Sequence, residues 1–548
     1  MTEPTTKGPG LRIERGLCVG ILAAMVVLPI YAVTMRWFTG QAMAGANLYV
    51  QSLNLWVAFL GGALAAGAGK HLSLSTGQIL NLEGRTRELV DGFTSAVATA
   101  VTALLAYASF ELMLAERGSA AVLWGGVPMW VVQIVMPVGF GLMAIRLAWH
   151  GNRSTGGRVA AVLTVCAACA LVLVPEGERT AVVWAGTAII MAAVAMGAPL
   201  YTAMGGVAML LFYGAPIPIA LSAVPAETYR IVASPTLPCL PLFTLAGYLL
   251  AEGGASRRLV GLFRAWFGWM PGGIGAAAVL VCAFFTTFTG ASGVTILALG
   301  GLLFPILVES GYKPRFAIGL IVASGSIGLL FPPSLPVILY GVVSHVPIDE
   351  LFIAGAIPGA VLVLLLVGMA VYQAIRHDVE RSSFDLSEAA RALWAARWEA
   401  LLPVLVLVGF FGGLLTIFEA AAFTAAYAFF TEVVIHRDLD LREDVPRVFV
   451  ECATLMGGVL IILGAALAGW AAYRLSDFRI FNLEIVKYKV LPWLRKSGVS
   501  LPVITALLAG GLHAALDRGR RPVRWGAAIA AAVGAAGLLE LPAYAYVL

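Results

Sequence analysis

The segment from Ala265 to Val308 carries no charged residue. A helix crosses a bilayer with roughly 20 apolar residues, so this segment is long enough for about two crossings. It is interrupted midway by Thr286-Thr287-Phe288-Thr289-Gly290-Ala291-Ser292-Gly293. After a polar turn from Glu309 to Arg315, a second uncharged run, Phe316–Ser344, is interrupted in the same way. Its break reads Ala323-Ser324-Gly325-Ser326-Ile327-Gly328 and then Pro332-Pro333-Ser334-Leu335-Pro336. Proline brings no amide hydrogen, and the residue before it avoids the helical region. Backbone groups freed in lipid must find partners in protein or in a water-filled cavity. Two interrupted runs in tandem therefore predict a cavity bordered by broken helices. Half-helix C-termini and unwound carbonyls suit a small hard cation, and half-helix N-termini suit a carboxylate. A single break of this kind is as often a mere kink; the tandem arrangement argues for a site.

Composition agrees with a polytopic membrane protein: 60% of residues are hydrophobic and 12% charged, against about 25% charged in soluble domains. The net charge of +5 is modest and points to no nucleic-acid partner. The polar, basic residues 1–15 precede an apolar run long enough to stay as an anchor, not a cleaved signal. Cys166 and Cys169 spell C-x-x-C, but Ala, Val and Leu surround them, and the expectation is two buried thiols without metal or redox chemistry. The histidines lie mostly at span edges, and no H-x-x-x-H or acidic pair occupies a span core. An intramembrane enzyme is therefore not expected.

Apolar spans are predicted at about 16–35, 53–69, 92–114 and 128–148, with a fifth at about 159–174. Lys7, Arg12, Arg15, Lys70, Arg85, Arg87, Arg146, Arg153 and Arg158 fall on one side of the first four spans; Arg36 and Arg117 fall on the other. Positive charge favours the cytoplasm, which predicts a cytoplasmic N-terminus. Further spans are expected at 353–375, 400–415, 419–435 and 448–472, with a hairpin-like segment at 237–251 and an interfacial stretch at 225–233.

The stretch Gly325-Ser326-Ile327-Gly328-Leu329-Leu330-Phe331-Pro332-Pro333-Ser334-Leu335-Pro336 resembles the first-repeat signature of the large membrane subunit of tripartite ATP-independent periplasmic (TRAP) transporters. Its flanks agree: Leu240-Pro241-Leu242-Phe243-Thr244-Leu245-Ala246-Gly247 before it and Leu351-Phe352-Ile353-Ala354-Gly355-Ala356-Ile357-Pro358-Gly359 after it. Thr416-Ile417-Phe418-Glu419-Ala420-Ala421 resembles the family's T-P-T-E-A-A, with Ile417 and Phe418 in place of Pro and Thr. Asn54-Leu55-Trp56-Val57-Ala58-Phe59-Leu60-Gly61-Gly62-Ala63 resembles the small membrane subunit of the same transporters. The resemblance implies an all-α, elevator-like fusion of both subunits.

The expected division is a small-subunit-like unit at 1–150, a linker helix at 151–180 and a first repeat with re-entrant hairpin and discontinuous helix at 181–375. An amphipathic connector at 376–398, the start of a second repeat at 399–473 and an atypical region at 474–548 follow. Pro332-Pro333 is the only Pro-Pro in the chain, so the family's second break motif is missing.

The resemblance implies secondary uptake of a small organic acid, such as a C4-dicarboxylate, through a bacterial inner membrane. A periplasmic substrate-binding protein would deliver it, lipid would surround the permease, and no organic cofactor is implied. Hydroxyls of Thr289, Ser292, Ser324 and Ser326, with carbonyls turned at Gly290, Gly293, Gly325 and Gly328, form the candidate ion site. Pro332, Pro333, Ser334 and Glu419 form the candidate break and substrate site. Oxygen ligands without a carboxylate favour Na+ over H+ as coupling ion. Glu419 is equally well read as a helix-start carboxylate. Two alternatives stay open: a transport-deficient scaffold of the same family, truncated or degenerate, and another sodium/carboxylate elevator carrier.

Overall fold

A computed structural model describes residues 9–475, apart from 42, 44, 70, 74–83, 120, 124, 151–154, 171–174, 176–177, 216–218, 291, 378 and 380–382. The atypical stretch from 476 onward lies outside the described residues. The described chain is all-α and polytopic. Seven described helices are long and apolar enough to cross a membrane, and nine if each of two bent pairs counts as one crossing.

The first helices are α1 (Pro9–Thr39), α2 (Ala46–Ala68), α3 (Arg85–Ser119), the short α4 (Met129–Gln133), α5 (Val135–His150) and α6 (Thr155–Ala170). Next come α7 (Arg179–Ala195), α8 (Leu200–Tyr213), α9 (Ala223–Val232), α10 (Cys239–Glu252) and α11 (Ala255–Phe267). The uncharged runs form α12 (Gly273–Thr289), α13 (Ser292–Glu309), α14 (Pro314–Ile327) and α15 (Leu335–Ser344). They are followed by α16 (Ile348–Arg376), α17 (Leu386–Ala395), α18 (Arg397–Phe411), α19 (Ile417–Phe429) and α20 (Asp444–Leu475).

The centre of the packing is α20, which lies against α2, α8 and α9. Small residues let α2 and α20 approach closely: a Cβ at Gly61 would run into the carbonyl of Ala453, and one at Gly457 into the backbone of Gly61 and Gly62. Lipid supplies no hydrophobic drive between helices, so such small-residue seams are how membrane helices associate. Beside the seam, the buried Asn54 donates from Nδ2 to the Val232 carbonyl at 2.7 Å. The first unit thus packs on the last described helix through contacts distant in sequence.

Several expectations change. The stretch 225–233 forms most of α9, which is not a free surface helix: it buries Val224, Thr228, Ile231 and Val232 and packs on α20. The stretch 237–251 is one helix, α10, buried along nearly its whole length. Cys166 and Cys169 are exposed on α6, not buried. That helix lies along α3 and turns its other side outward. The apolar residues 181–213 form two helices, α7 and α8, separated at Gly197-Ala198-Pro199.

Candidate functional site

The first break is made by Gly290. It ends α12 with φ 61°, a left-handed backbone that glycine takes without strain, and its amide donates to the Thr286 carbonyl at 2.9 Å. Across the break, the hydroxyls of Thr289 and Thr295 meet at 2.8 Å, both buried. The second break follows a short 3-10 turn, Gly328–Leu330, and bends the axis by 41° before α15 begins. The Pro332–Pro333 peptide is cis. Pro336 falls in the first turn of α15, where a missing amide hydrogen does no harm. The buried hydroxyl of Ser334 donates to the Leu329 carbonyl and so closes the break on itself.

The fold brings the two breaks together. Thr287 Oγ1 lies 2.8 Å from the Ala283 carbonyl of its own helix and 3.3 Å from the Gly328 carbonyl of the second break. A Cβ on Gly328 would collide with the Ala283 carbonyl and sit 2.6 Å from Cβ of Thr286. One on Gly290 would fall within the Leu335 side chain, and one on Gly325 would sit 2.7 Å from Ile296. A third helix closes in from α10, where a Cβ on Gly247 would lie 2.7 Å from the Thr289 amide nitrogen. Glycine at 247 and 328 lets backbone meet backbone, and glycine at 290 and 325 makes room for Leu335 and Ile296.

The candidate residues divide on this geometry. Thr289, Gly290, Gly325 and Gly328 converge at the junction. Ser324 is buried, but its hydroxyl donates to the Leu320 carbonyl in its own helix at 2.6 Å. Ser326 is exposed and Gly293 has open space around it. Ser292 is half-buried and offers its carbonyl 3.7 Å from the position of a Cβ on Gly325. Pro332 and Pro333 face a small apolar pocket shared with Phe243, Phe352 and Ile417. Glu419 is engaged elsewhere: it forms a capping box with Thr416, and Arg36 of α1 reaches it at 3.0 Å. Sequence reasoning missed Thr295, Thr287 as a bridge, and Gly247. Thr295 is the first threonine after the break and could have been found on that ground.

Beside the breaks runs a groove of about 1270 Å³ between α12, α16 and α18. Thr287 is its only hydroxyl-bearing wall residue, and none of the lining residues is charged. Its described wall thus offers little to compensate a desolvated carboxylate. The junction of the breaks, by contrast, is buried, lined by hydroxyl and carbonyl oxygen and, among the described residues, free of carboxylates.

Residues 187–475 match the tripartite ATP-independent periplasmic transporter DctM component, and residues 25–150 match the DctQ component. The chain belongs to the TRAP transporter family. It carries DctQ-like and DctM-like regions, the small and large membrane subunits, in one polypeptide. It is similar to the isethionate TRAP transporter permease protein DctMQ of Oleidesulfovibrio alaskensis, with 31% identity over 62% of this chain and 54% of that protein. It is also 31% identical to the C4-dicarboxylate TRAP transporter large permease protein DctM of Rhodobacter capsulatus, over 50% of this chain and 66% of that one. The ectoine/5-hydroxyectoine large permease protein UehC of Ruegeria pomeroyi is 34% identical over 42% of this chain and 54% of its own length. The matches thus span between about half and two thirds of these relatives' length. The relatives are permease proteins of transporters, not enzymes.

Proposed function

We propose that this TRAP chain is the membrane permease for sodium-coupled uptake of a small organic acid handed over by a periplasmic substrate-binding protein. The observation that carries the reading is the junction of two helix breaks around Thr289, Gly290, Gly325 and Gly328. Hard cations take oxygen ligands and need no full negative charge. A hydroxyl- and carbonyl-lined junction without a carboxylate suits Na+ for that reason. The relatives are named for isethionate, C4-dicarboxylates and ectoine, so the substrate class stays at small organic acids. The excess of Lys and Arg beside the N-terminus supports a cytoplasmic start in a bacterial inner membrane.

The test is binding of radiolabelled sodium to the purified full chain, followed by uptake of labelled dicarboxylates into proteoliposomes with a binding protein present. Saturable sodium binding that is lost in Thr289→Val, with uptake that follows an inward sodium gradient, is expected. Uptake driven by a proton gradient and indifferent to sodium would overturn the choice of ion. Sodium binding that Thr289→Val leaves intact would move the site away from the breaks.

A further inference from the structure

Away from the breaks, one arginine gathers three carboxylates. Arg258 of α11 donates from Nε to Glu399 Oε1 at 2.5 Å and from Nη1 to Asp438 Oδ2 at 2.5 Å. Its Nη2 reaches both oxygens of Glu432 at 2.8 and 2.9 Å. The amide of Gly254, just before α11, donates to Glu432 Oε2 at 3.0 Å and to Asp438 Oδ2 at 3.1 Å. Glu399 belongs to α18, and Glu432 to a π-turn, Phe430–Ile435, that ends α19. The side chains of Glu399 and Glu432 are 0% exposed, whereas Asp438 lies at the solvent edge.

The charges do not balance. One guanidinium faces three carboxyl groups, and two of these have no access to water. Burying an uncompensated carboxylate is costly enough that such groups take up a proton instead. An independent sign comes from Glu399: its Oε2 is buried and has no hydrogen-bond partner among the described residues. Beside it, His436 Nε2 stands 3.5 Å from Glu399 Oε1, itself without a hydrogen-bond partner, on a ring that is 20% exposed.

We propose that this cluster is a proton-binding site, in which the Glu399–Glu432 pair holds one exchangeable proton that reaches solvent past His436. Arg258 compensates one carboxylate of the pair, and the proton neutralises the other. Burial and the Arg258 charge lower the His436 pKa, which keeps the ring neutral as an exchange route. Burial raises the Asp438 pKa, but the hydrogen bond and charge of Arg258 outweigh it and hold Asp438 below its usual value. Asp438 therefore stays ionised and accepts from its neighbours. The other groups facing the site are the Gly254 amide, Arg397 towards His436, and Tyr427 of α19, which lies near Glu399 and donates its hydroxyl to the Trp398 carbonyl at 2.9 Å. The site rests on the chain's own side chains and stands whether or not sodium is the coupling ion.

Infrared difference spectroscopy of the purified full chain, titrated through neutral pH, tests this. The expected result is a protonated-carboxyl band that grows as pH falls through neutrality. Glu399→Gln and Glu432→Gln each leave Arg258 with one buried carboxylate, so each is expected to remove the band from the neutral range. Asp438→Asn, at the solvent edge and least able to disturb folding, removes one repelling charge. It should shift the midpoint to lower pH by about one unit or more, a tenfold weakening of proton binding. No titrating band in the wild-type chain, or an unchanged midpoint in Asp438→Asn, would overturn the proposal.

Discussion

Replacing Gly290 by alanine, with Gly293→Ala as its partner experiment, separates the break junction from its surroundings. Gly290 has φ 61°, and a Cβ there would fall within the side chain of Leu335. Holding alanine in the left-handed region costs roughly 1–2 kcal/mol. Forcing a methyl group into packed surroundings costs about 1–3 kcal/mol more. The sum, about 2–5 kcal/mol, is a large part of the roughly 5–15 kcal/mol that holds a folded chain together. Three positions later the same substitution meets nothing. A Cβ on Gly293 has no neighbour within 4 Å, and Gly293 lies in the first turn of α13. There alanine is expected to stabilise the helix by about 0.5–1 kcal/mol. Thermal unfolding of the purified chain, followed by tryptophan fluorescence, should rank Gly293→Ala at or above wild type and Gly290→Ala well below it. Sodium binding should follow the same order. If Gly290→Ala unfolds with the wild type, or Gly293→Ala falls equally far, the two breaks do not meet as described.

Two further substitutions probe charged groups. Glu419→Ala removes the acidic half of the capping box with Thr416 and should cost about 1 kcal/mol, while Glu419→Gln keeps the box and should transport close to wild type. Arg36 meets both carboxylate oxygens, at 3.0 and 3.2 Å, and Glu419 is 7% exposed, so the glutamine variant gives up a charge-assisted pair of about 1 kcal/mol; a glutamine variant as inactive as the alanine one would instead make the carboxylate charge part of the transport site. Asp438 gives an acid limb to stability. Its pKa lies lower in the fold than in the unfolded chain, so its bond to Arg258 stabilises the fold above the ordinary aspartate value of about 3.9. That contribution is lost as pH falls through the lower folded value. Unfolding midpoints measured down into the acid range should therefore drop less steeply in Asp438→Asn than in the wild-type chain.

The helical class and the two breaks could be read directly, because uncharged length and clustered Gly, Ser and Pro act locally. The same clustering marks Thr289 and Gly290 as residues of the first break. What could not be read was contact between distant segments. Gly247 sits in an ordinary apolar helix, and its role appears only because α10 lies against Thr289. Ser326 has the composition of a ligand, but helical phase turns it outward. Glu399 and Glu432 sit where polar loops meet apolar spans, so each looks like a solvated edge residue. Only the fold, by placing Arg258 between them, makes them a buried pair.

The same short stretch of α10 serves both places. Gly247 abuts Thr289 at the breaks, and Gly253 and Gly254, just past the helix end, abut Glu432 and Asp438. At about 1.5 Å per residue, the two contacts lie about 10 Å apart along the chain. Two unit charges at that separation interact by about 1–2 kcal/mol at an effective dielectric of about 20. That is close to a tenfold change in an equilibrium constant. A negative charge gained at Glu432 on proton loss favours a cation near Thr289, so acidification would weaken sodium binding there. The proposed proton site and the proposed cation site would therefore stand in separate places in this chain, each suited to its own ligands, and still bear on one another through charge across about 10 Å.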